Sequence, residues 1–585
     1  MALMRRNLIV TLVLIFAAVV FLSSSRIVDH NIVHSPESET GLGSSGQTTT
    51  PWEEAEEYED GTSQAKTGLG DDETDSTDFA DDEDDDEYDD TKGSSNGHVV
   101  SSKPKTPSKL HWLVPASGAN VELCYNLASG AANRYPVPMV LGFNGTGLFD
   151  ASVTHLAKLR AIQVYLNNLE KADDDDLILI VDGYDIIMQL PPSVMIERYF
   201  DLVARNDARI AKRYGISIKE VHKQGMRNTV FWGPDKICWP FGGNEPRCWA
   251  VPTSGLPSDA FGPKSGNGEM FYNDPRWLNS GTVIGPTEHV RALVNATMAE
   301  IDATYDEDYQ WKDSDQFYIA NIWGRQEYYR SLKMAGWDDD DVEGGPSDRH
   351  TPKNYTEEEL IEMHIGIDYE SSLFQTKAGY EPFFGYLEFN SSGLNGKMTR
   401  DMFEEGSQFT PYNIPMPANV FSALARLYES IADSQAGVTT SEWIRGLPLG
   451  VNFVTQHIYG LWHCTASKEW IAGEYTKLWF YPMARSLVKA TVRAFSSGEL
   501  ITEHRVDGRQ WAPRYYYPDD LSDMDDELGG AYTDYDGGNF MTWGQICGDF
   551  EEELFRGEDG LQARHPISVH QGMLQAHAKA DAGKE

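Results

Sequence analysis

Two aspartates directly follow a short, uninterrupted apolar run. Asp182 and Asp185 belong to the motif DGYD, and the run before it, Leu177–Val181, reads LILIV. Such a run is typical of a strand that is buried on both faces of a sheet, and open α/β sheets bind ligands at the carboxyl ends of their strands. Carboxylates are the ligands that Mg²⁺ and Mn²⁺ prefer. The motif therefore predicts a metal site, and a turn whose aspartates bind backbone amides is the alternative.

The segments before this motif alternate between strand and helix patterns. They predict a strand at His111–Pro115, a helix at Ala119–Tyr135, a strand at Pro138–Phe143 and a helix at Ser152–Leu169. In the second helix, leucine and isoleucine recur largely at helical spacing. Because this alternation is typical of α/β domains, we expect the two aspartates to lie at the edge of an α/β sheet.

Five short motifs resemble, in the same order, the glycosyltransferase domain of the procollagen lysyl hydroxylases. They are LILIVDGYDIIM at 177–188, ICWP at 237–240, WLNSGTVIG at 277–285, KDSDQF at 312–317 and IDYESSLFQ at 367–375. Several motifs in a fixed order are more specific than any one of them. The resemblance implies an α/β domain of the GT-A-like type, which is a Rossmann-like mixed sheet flanked by helices. No segment after Tyr380 resembles the hydroxylase domain of that family.

The same resemblance implies a metal-binding set. Asp182 and Asp185 would bind Mn²⁺ or Mg²⁺ together with a histidine from the later part of the domain. Two histidines are candidates for this third ligand, His457 and His463. We prefer His463, because the small-residue loop that follows it ends in Lys468, a cation able to bind phosphate.

Further residues take roles around a nucleotide sugar by the same resemblance. Lys158 and Tyr184 would contact the nucleotide, and Asn279 would lie near the sugar. Asp313 and Asp315 would orient the acceptor hydroxyl or stabilise the positive charge that develops on the sugar in the transition state. The alternatives are a solvent-facing side chain for Lys158 and helix N-capping for Asp313.

These assignments predict a metal-dependent glycosyltransferase. It would move a hexose from a nucleotide sugar to a hydroxyl group on a protein or glycan acceptor in the secretory pathway, and the resemblance implies that the nucleotide is UDP. The alternatives are a catalytically silent protein of the same fold that binds glycan or protein, and a scaffold whose acidic segment binds Ca²⁺ or a basic partner. The net charge of −43 excludes nucleic acid as a partner.

The N-terminus has the sequence pattern of a membrane-targeting segment. Arg5 and Arg6 precede the uncharged run Leu8–Leu22, and a long acidic segment follows. This arrangement predicts a single-pass signal anchor with a cytoplasmic N-terminus, and a cleaved signal peptide is the alternative. We therefore expect a type II protein of the Golgi or endoplasmic reticulum membrane, with its catalytic domain in the lumen.

Composition divides the chain into four predicted regions. They are a cytoplasmic tip and anchor at 1–28, a disordered acidic stem at 29–107, a GT-A-like domain at 108–495 and an acidic C-terminal extension at 496–585 to which we assign no chemistry. Near the end of the domain, residues 475–495 have the apolar pattern of one amphipathic helix.

Cysteines and glycosylation motifs add two expectations. Five cysteines leave at least one unpaired within a monomer, and Cys238 and Cys248 are the predicted pair because they bracket a loop rich in proline and glycine. Asn-x-Ser/Thr motifs begin at four positions and favour a lumenal location: Asn144, Asn295, Asn354 and Asn390.

Overall fold

A computed structural model describes six ranges of the chain. They are residues 107–151, 153–242, 245–335, 362–435, 437–521 and 527–560. The predicted anchor at 1–28, nearly all of the predicted stem at 29–107 and the glycosylation motif at Asn354 lie outside these ranges.

In these ranges the strands are β1 (Ser108–Pro115), β2 (Met139–Leu141), β3 (Leu177–Val181), β4 (Ile186–Met188), β5 (Val230–Asp235), β6 (Trp277–Pro286), β7 (Ile365–Ile367), β8 (Phe374–Thr376), β9 (Phe384–Glu388), β10 (Asn395–Met398), β11 (Tyr412–Pro415), β12 (Pro448–Asn452), β13 (Leu461–His463), β14 (Trp511–Pro513), β15 (Gly530–Thr533) and β16 (Phe540–Thr542).

The α-helices in the same ranges are α1 (Val121–Ala132), α2 (Ala157–Asn167), α3 (Pro192–Tyr214), α4 (Ile218–Lys223), α5 (Pro246–Trp249), α6 (Thr287–Thr304), α7 (Asp315–Ala335), α8 (Ala418–Ile431), α9 (Thr440–Arg445), α10 (Ile471–Tyr475), α11 (Ala484–Ser496), α12 (Trp543–Ile546) and α13 (Glu551–Phe555).

A mixed central sheet organises the described chain. Its strand order is β16-β15-β2-β1-β3-β6-β5-β7, and β14 also pairs with β1. Strands β2, β1 and β3 run parallel to one another, whereas β6 is antiparallel to both β3 and β5. The structure thus confirms a mixed α/β architecture with helices against a central sheet.

The apolar run in β3 is explained by burial on both faces. Leu177, Leu179 and Val181 belong to one buried core cluster. Ile178 and Ile180 belong to a second one. Because successive side chains of a strand point to opposite faces, the sheet separates two cores, and an apolar side chain is needed at every position of β3.

Two further strands bring distant residues to the end of β3. After the DGYD turn the chain forms β4, which pairs antiparallel with β13, and β13 also pairs in parallel with β8. In this register His463 lies opposite Ile186 and Thr376. The three-stranded sheet therefore carries His463, the last residue of β13, to the turn that holds Asp182 and Asp185.

The boundary predicted at residue 495 is wrong, because later residues complete the central sheet. β14 pairs with β1 and β15 pairs with β2, both in parallel. The disulfide Cys124–Cys547 also joins α1 to the residue that follows α12. Residues 511–521 and 527–547 are therefore part of the same folded unit rather than an extension.

The single helix predicted at 475–495 is also wrong. Helix α10 ends at Tyr475, a short 3₁₀ turn occupies Tyr481–Met483, and α11 begins at Ala484. Pro482 lies in that turn, and proline cannot continue a helix that has begun before it, because it lacks an N–H donor and clashes with the preceding turn. The apolar face of α11 packs into the core, where Leu487 and Val488 are buried.

Two other predictions have clear outcomes. The disulfide Cys238–Cys248 is confirmed, and Cys464 is a buried free thiol. No helix in the described ranges is both long and apolar enough to cross a bilayer. This finding overturns the predicted single-pass location in the Golgi or endoplasmic reticulum membrane, and the anchor on which that prediction depended lies outside the described ranges.

Candidate metal and ligand site

Three side chains converge at the end of β3, two from the turn between β3 and β4 and one from β13. One ligand atom from each of Asp182, Asp185 and His463 lies within 4.8 Å of the other two. Nε2 of His463 is 3.1 Å from Oδ2 of Asp185. Backbone hydrogen bonds fix the group: the amide of Asp182 donates to the carbonyl of Gly281 (2.8 Å), and the amide of Cys464 donates to the carbonyl of Asp185 (2.8 Å).

The donor set fits a divalent cation. Among the described residues, Oδ1 of Asp185 and Nδ1 of His463 are buried and have no hydrogen-bond partner. An unpaired buried acceptor costs about 1–3 kcal/mol, so an oxygen atom in this position is better satisfied by a bound cation. Two carboxylates and one imidazole are ligands for Mn²⁺, and carboxylates alone also suit Mg²⁺.

Strand β6 passes this group closely because it carries a glycine there. A Cβ atom on Gly281 would lie 2.7 Å from Nε2 of His463 and 2.8 Å from Oδ2 of Asp182, and closer still to Cε1 of His463. Real Cβ atoms do not approach other atoms so closely. Gly281 is therefore needed for the backbone of β6 to form one side of the metal-binding group.

Two lysines balance the carboxylates. Nζ of Lys158 donates to Oδ1 of Asp182 (2.5 Å) and to Oδ2 of Asp315 (2.8 Å). Burial opposes the charge on Lys158, but these two carboxylates outweigh it and raise the pKa of Lys158 above its usual value.

Lys468 forms the second contact, an ion pair with Asp185, and its own side chain is half-exposed. Burial opposes ionisation of Asp185, but His463 and Lys468 outweigh burial and hold the pKa of Asp185 below its usual value. Asp185 is therefore an anion at neutral pH and is available as a ligand.

A cavity of about 250 Å³ opens beside the group. Its lining combines apolar side chains, among them Pro115, Leu141 and Phe149, with charged ones from Lys158, Asp182, Asp185, Asp315 and Lys468. Tyr184 also lines the cavity, and its hydroxyl accepts from the amide of Gly118 (3.0 Å). The cavity can therefore contact a ligand that has both a flat apolar part and an anionic part.

Of the predicted site residues, Asp182, Asp185, His463, Lys158, Tyr184, Asp315 and Lys468 lie together. Three others lie elsewhere. Asp313 accepts from Oγ1 of Thr154 (2.8 Å) and does not line the cavity. Asn279 is buried behind the group, where its Oδ1 accepts from the amide of Gly281 (3.1 Å). His457 lies beside Glu370, with 3.3 Å between Nε2 and Oε2, outside the group of three.

One buried acid near the site, Asp235, was not predicted from the sequence. Asp235 ends β5 and accepts through Oδ2 from Asn279 (3.3 Å) and Gln316 (3.5 Å). Burial raises the pKa of Asp235 to about 6, against the opposing effect of these hydrogen bonds. It follows the apolar strand residues Val230–Trp232 after Gly233 and Pro234, an acid at the end of a buried strand as at Asp182, and this was the signal that could have identified it.

No protein-family model matches this chain, and a comparison with curated proteins found no match. The functional assignment therefore depends on the residues of the site and on the resemblance of the five motifs.

Proposed function

We propose that this chain is a metal-dependent glycosyltransferase with a GT-A-like fold. It would transfer a hexose from a nucleotide sugar, for which we propose a UDP sugar, to a hydroxyl group of a protein or glycan acceptor. The observation that carries the proposal is the convergence of Asp182, Asp185 and His463 at the carboxyl end of β3, next to a cavity with both apolar and cationic walls. Ligand binding at the carboxyl ends of strands is the rule in open α/β sheets.

Asp182, Asp185 and His463 would hold Mn²⁺ or Mg²⁺. When bound, such a cation supplies Lewis-acid stabilisation of the negative charge on the departing diphosphate. The protein contributes rigidity, because Asp182 is held by β6 and His463 is held between β4 and β8.

The charges of the site suit a cation together with an anionic ligand. The carboxylates of Asp182, Asp185 and Asp315 contact the ammonium groups of Lys158 and Lys468. Three negative and two positive charges leave one net negative charge, without counting His463. This negative charge attracts a divalent cation. Lys468 is half-exposed and can turn from Asp185 to the oxygens of a diphosphate.

The remaining residues act on the sugar or support those that do. Asp315 lines the cavity, and we propose that its carboxylate, held by Lys158, stabilises positive charge on the sugar in the transition state. Asp313 is bonded to Thr154, so we propose that it orders the segment before α7. Asn279 supports Gly281 through its amide oxygen and so acts on the site through the backbone of β6.

Calorimetric titration of UDP into the full chain tests this proposal. We expect UDP to bind in the presence of Mn²⁺ and to lose that binding in Asp182→Asn and Asp185→Asn, because each variant removes one anionic ligand. Asp549→Asn is the matched control, since Asp549 is an exposed acid far along the chain from these ligands. Absence of Mn²⁺-dependent UDP binding to the unmodified chain would contradict the proposal and favour a protein without transferase activity.

A further inference from the structure

A hairpin near the C-terminal end of the described chain, formed by β15 and β16, pairs with the strand that leads into a wall of the cavity. Its first strand, β15, pairs with β2 so that Tyr532 lies opposite Met139 and Thr533 lies opposite Val140. The next residues of the chain are Leu141, which ends β2, and Gly142 after it, and both line the cavity. Strand β15 is therefore the direct neighbour of β2, whose end forms part of a wall of the proposed nucleotide site.

Asp534, the residue after β15, binds the turn that forms this wall. Its carboxylate accepts from the amide of Gly142 through Oδ2 (2.7 Å) and from the amide of Phe143 through Oδ1 (3.1 Å). Its own amide donates to the carbonyl of Val140 (3.2 Å). Gly142 has a φ angle of 76°, in the left-handed region. One carboxylate thus holds two successive amides of a turn whose backbone only glycine adopts easily.

Backbone hydrogen bonds connect this turn to the opposite wall of the cavity. The amide of Asn144 donates to the carbonyl of Ser117 (2.9 Å), and the amide of Ala116 donates to the carbonyl of Leu141 (2.9 Å). Ser117 and Gly118 in turn contact the hydroxyl of Tyr184, at 3.1 Å and 3.0 Å. A displacement of the turn would therefore reach Tyr184, which lies between the two metal-binding aspartates in sequence.

A second connection from the same segment leads to the aspartate turn itself. The disulfide Cys124–Cys547 fastens α1 to the C-terminal segment. From α1, Nδ2 of Asn126 donates to the carbonyl of Asp182 (3.0 Å) and contacts that of Gly183 (3.4 Å). The C-terminal segment therefore supports the cavity at two places, through a carboxylate and through a covalent bond.

We propose that Asp534 is a positioning residue for the nucleotide, and that the segment 530–547 sets the geometry of the nucleotide-binding wall. The inference rests on the proposed function, because it takes the ligand of the cavity to be a nucleoside diphosphate. Within the part of the chain that the structure describes, Asp534 forms no hydrogen bond or ion pair with Asp182, Asp185 or His463. Its loss is therefore expected to weaken nucleotide binding without weakening the binding of the metal alone.

The test compares Asp534→Ala, Asp534→Asn and the exposed control Asp549→Ala in the full chain. Calorimetry gives the Kd of Mn²⁺ alone and the Kd of UDP with Mn²⁺ present, and a thermal melt gives the Tm. For Asp534→Ala we expect the Kd of UDP to rise by about tenfold, the scale of one net hydrogen bond, with the Kd of Mn²⁺ unchanged. Asp534→Asn keeps one acceptor oxygen and is expected to fall between Asp534→Ala and the unmodified chain.

Each result has a distinct meaning. A folded Asp534→Ala that binds UDP within twofold of the unmodified chain overturns the inference, and so does a variant that loses affinity for Mn²⁺ and UDP equally. If Asp534→Ala does not fold, Asp534→Asn decides in the same way, and an unchanged Kd of UDP overturns the inference. If the unmodified chain does not bind UDP at all, the proposed function fails first and the inference fails with it.

Discussion

Replacing Gly281 by alanine would place one methyl group against the metal-binding side chains without altering any charge or any ligand. The new Cβ would lie 2.7 Å from Nε2 of His463 and 2.8 Å from Oδ2 of Asp182. His463 is buried, and its strand β13 is paired with β4 on one side and β8 on the other, so its backbone cannot shift without disturbing both strands. We expect overpacking to cost about 1–3 kcal/mol of stability. Displaced supports of metal ligands lower affinity by about 10–100-fold, and we expect that loss for Mn²⁺.

Gly285→Ala on the same strand is the matched control. Its Cβ would lie 2.9 Å from the carbonyl oxygen of Thr229 and 3.1 Å from Cα of Val230. This conflict is milder than that of Gly281→Ala, whose Cβ would lie 2.2 Å from Cε1 of His463, and it involves no metal ligand. We expect both variants to lower the Tm in a thermal melt, and only Gly281→Ala to raise the Kd of Mn²⁺ in calorimetry. Unchanged Mn²⁺ affinity in Gly281→Ala, or an equal loss in both variants, would refute the argument.

Three other predictions concern the same region. His463→Ala should abolish Mn²⁺ binding in calorimetry, whereas His457→Ala should leave it intact because that ring lies outside the ligand group; equal effects would contradict the assignment. Lys468→Met should tighten Mn²⁺ binding, because the ammonium group competes for Asp185, and should weaken UDP binding about tenfold; parallel changes in the two Kd values would count against it. In the metal-free protein, burial raises the pKa of Asp235 to about 6, so ionisation costs folding about 3 kcal/mol above that pH. Stability should therefore fall as pH rises from about 4 to 6, and Asp235→Asn should remove this fall; a Tm profile identical to that of the unmodified chain would exclude the effect.

The parts of the fold that the sequence predicted are those specified by neighbouring residues. Leu177–Val181 was predicted with its observed bounds because burial on both faces requires five consecutive apolar residues. The first helix was predicted two to three residues too long at each end. Asn120 caps it, with its side chain accepting from the amide of Leu123, and Asn133 ends it. Local polar side chains compete with the helix at such positions, and apolar periodicity does not reveal them.

The features that the sequence left open or missed depend on distant pairing. His463 is 278 residues from Asp185, and the choice between two histidines is decided by the register of β13 against β4 and β8. The strands β14 and β15 have only three and four residues. Segments so short carry too few alternations to indicate a strand, and their position beside β1 and β2 comes from tertiary pairing. The role of Asp534 follows from that pairing alone.

The most direct test of metal-dependent transfer is turnover of a panel of UDP sugars by the full chain with and without Mn²⁺. Because hydrolysis of the donor needs no acceptor, released UDP can be measured before the acceptor is known. We predict Mn²⁺-dependent release of UDP from at least one donor, reduced at least about 100-fold in Asp182→Asn and Asp185→Asn and unchanged in Asp549→Asn. Turnover that persists in both ligand variants, or no turnover together with no Mn²⁺-dependent binding of UDP, would contradict it.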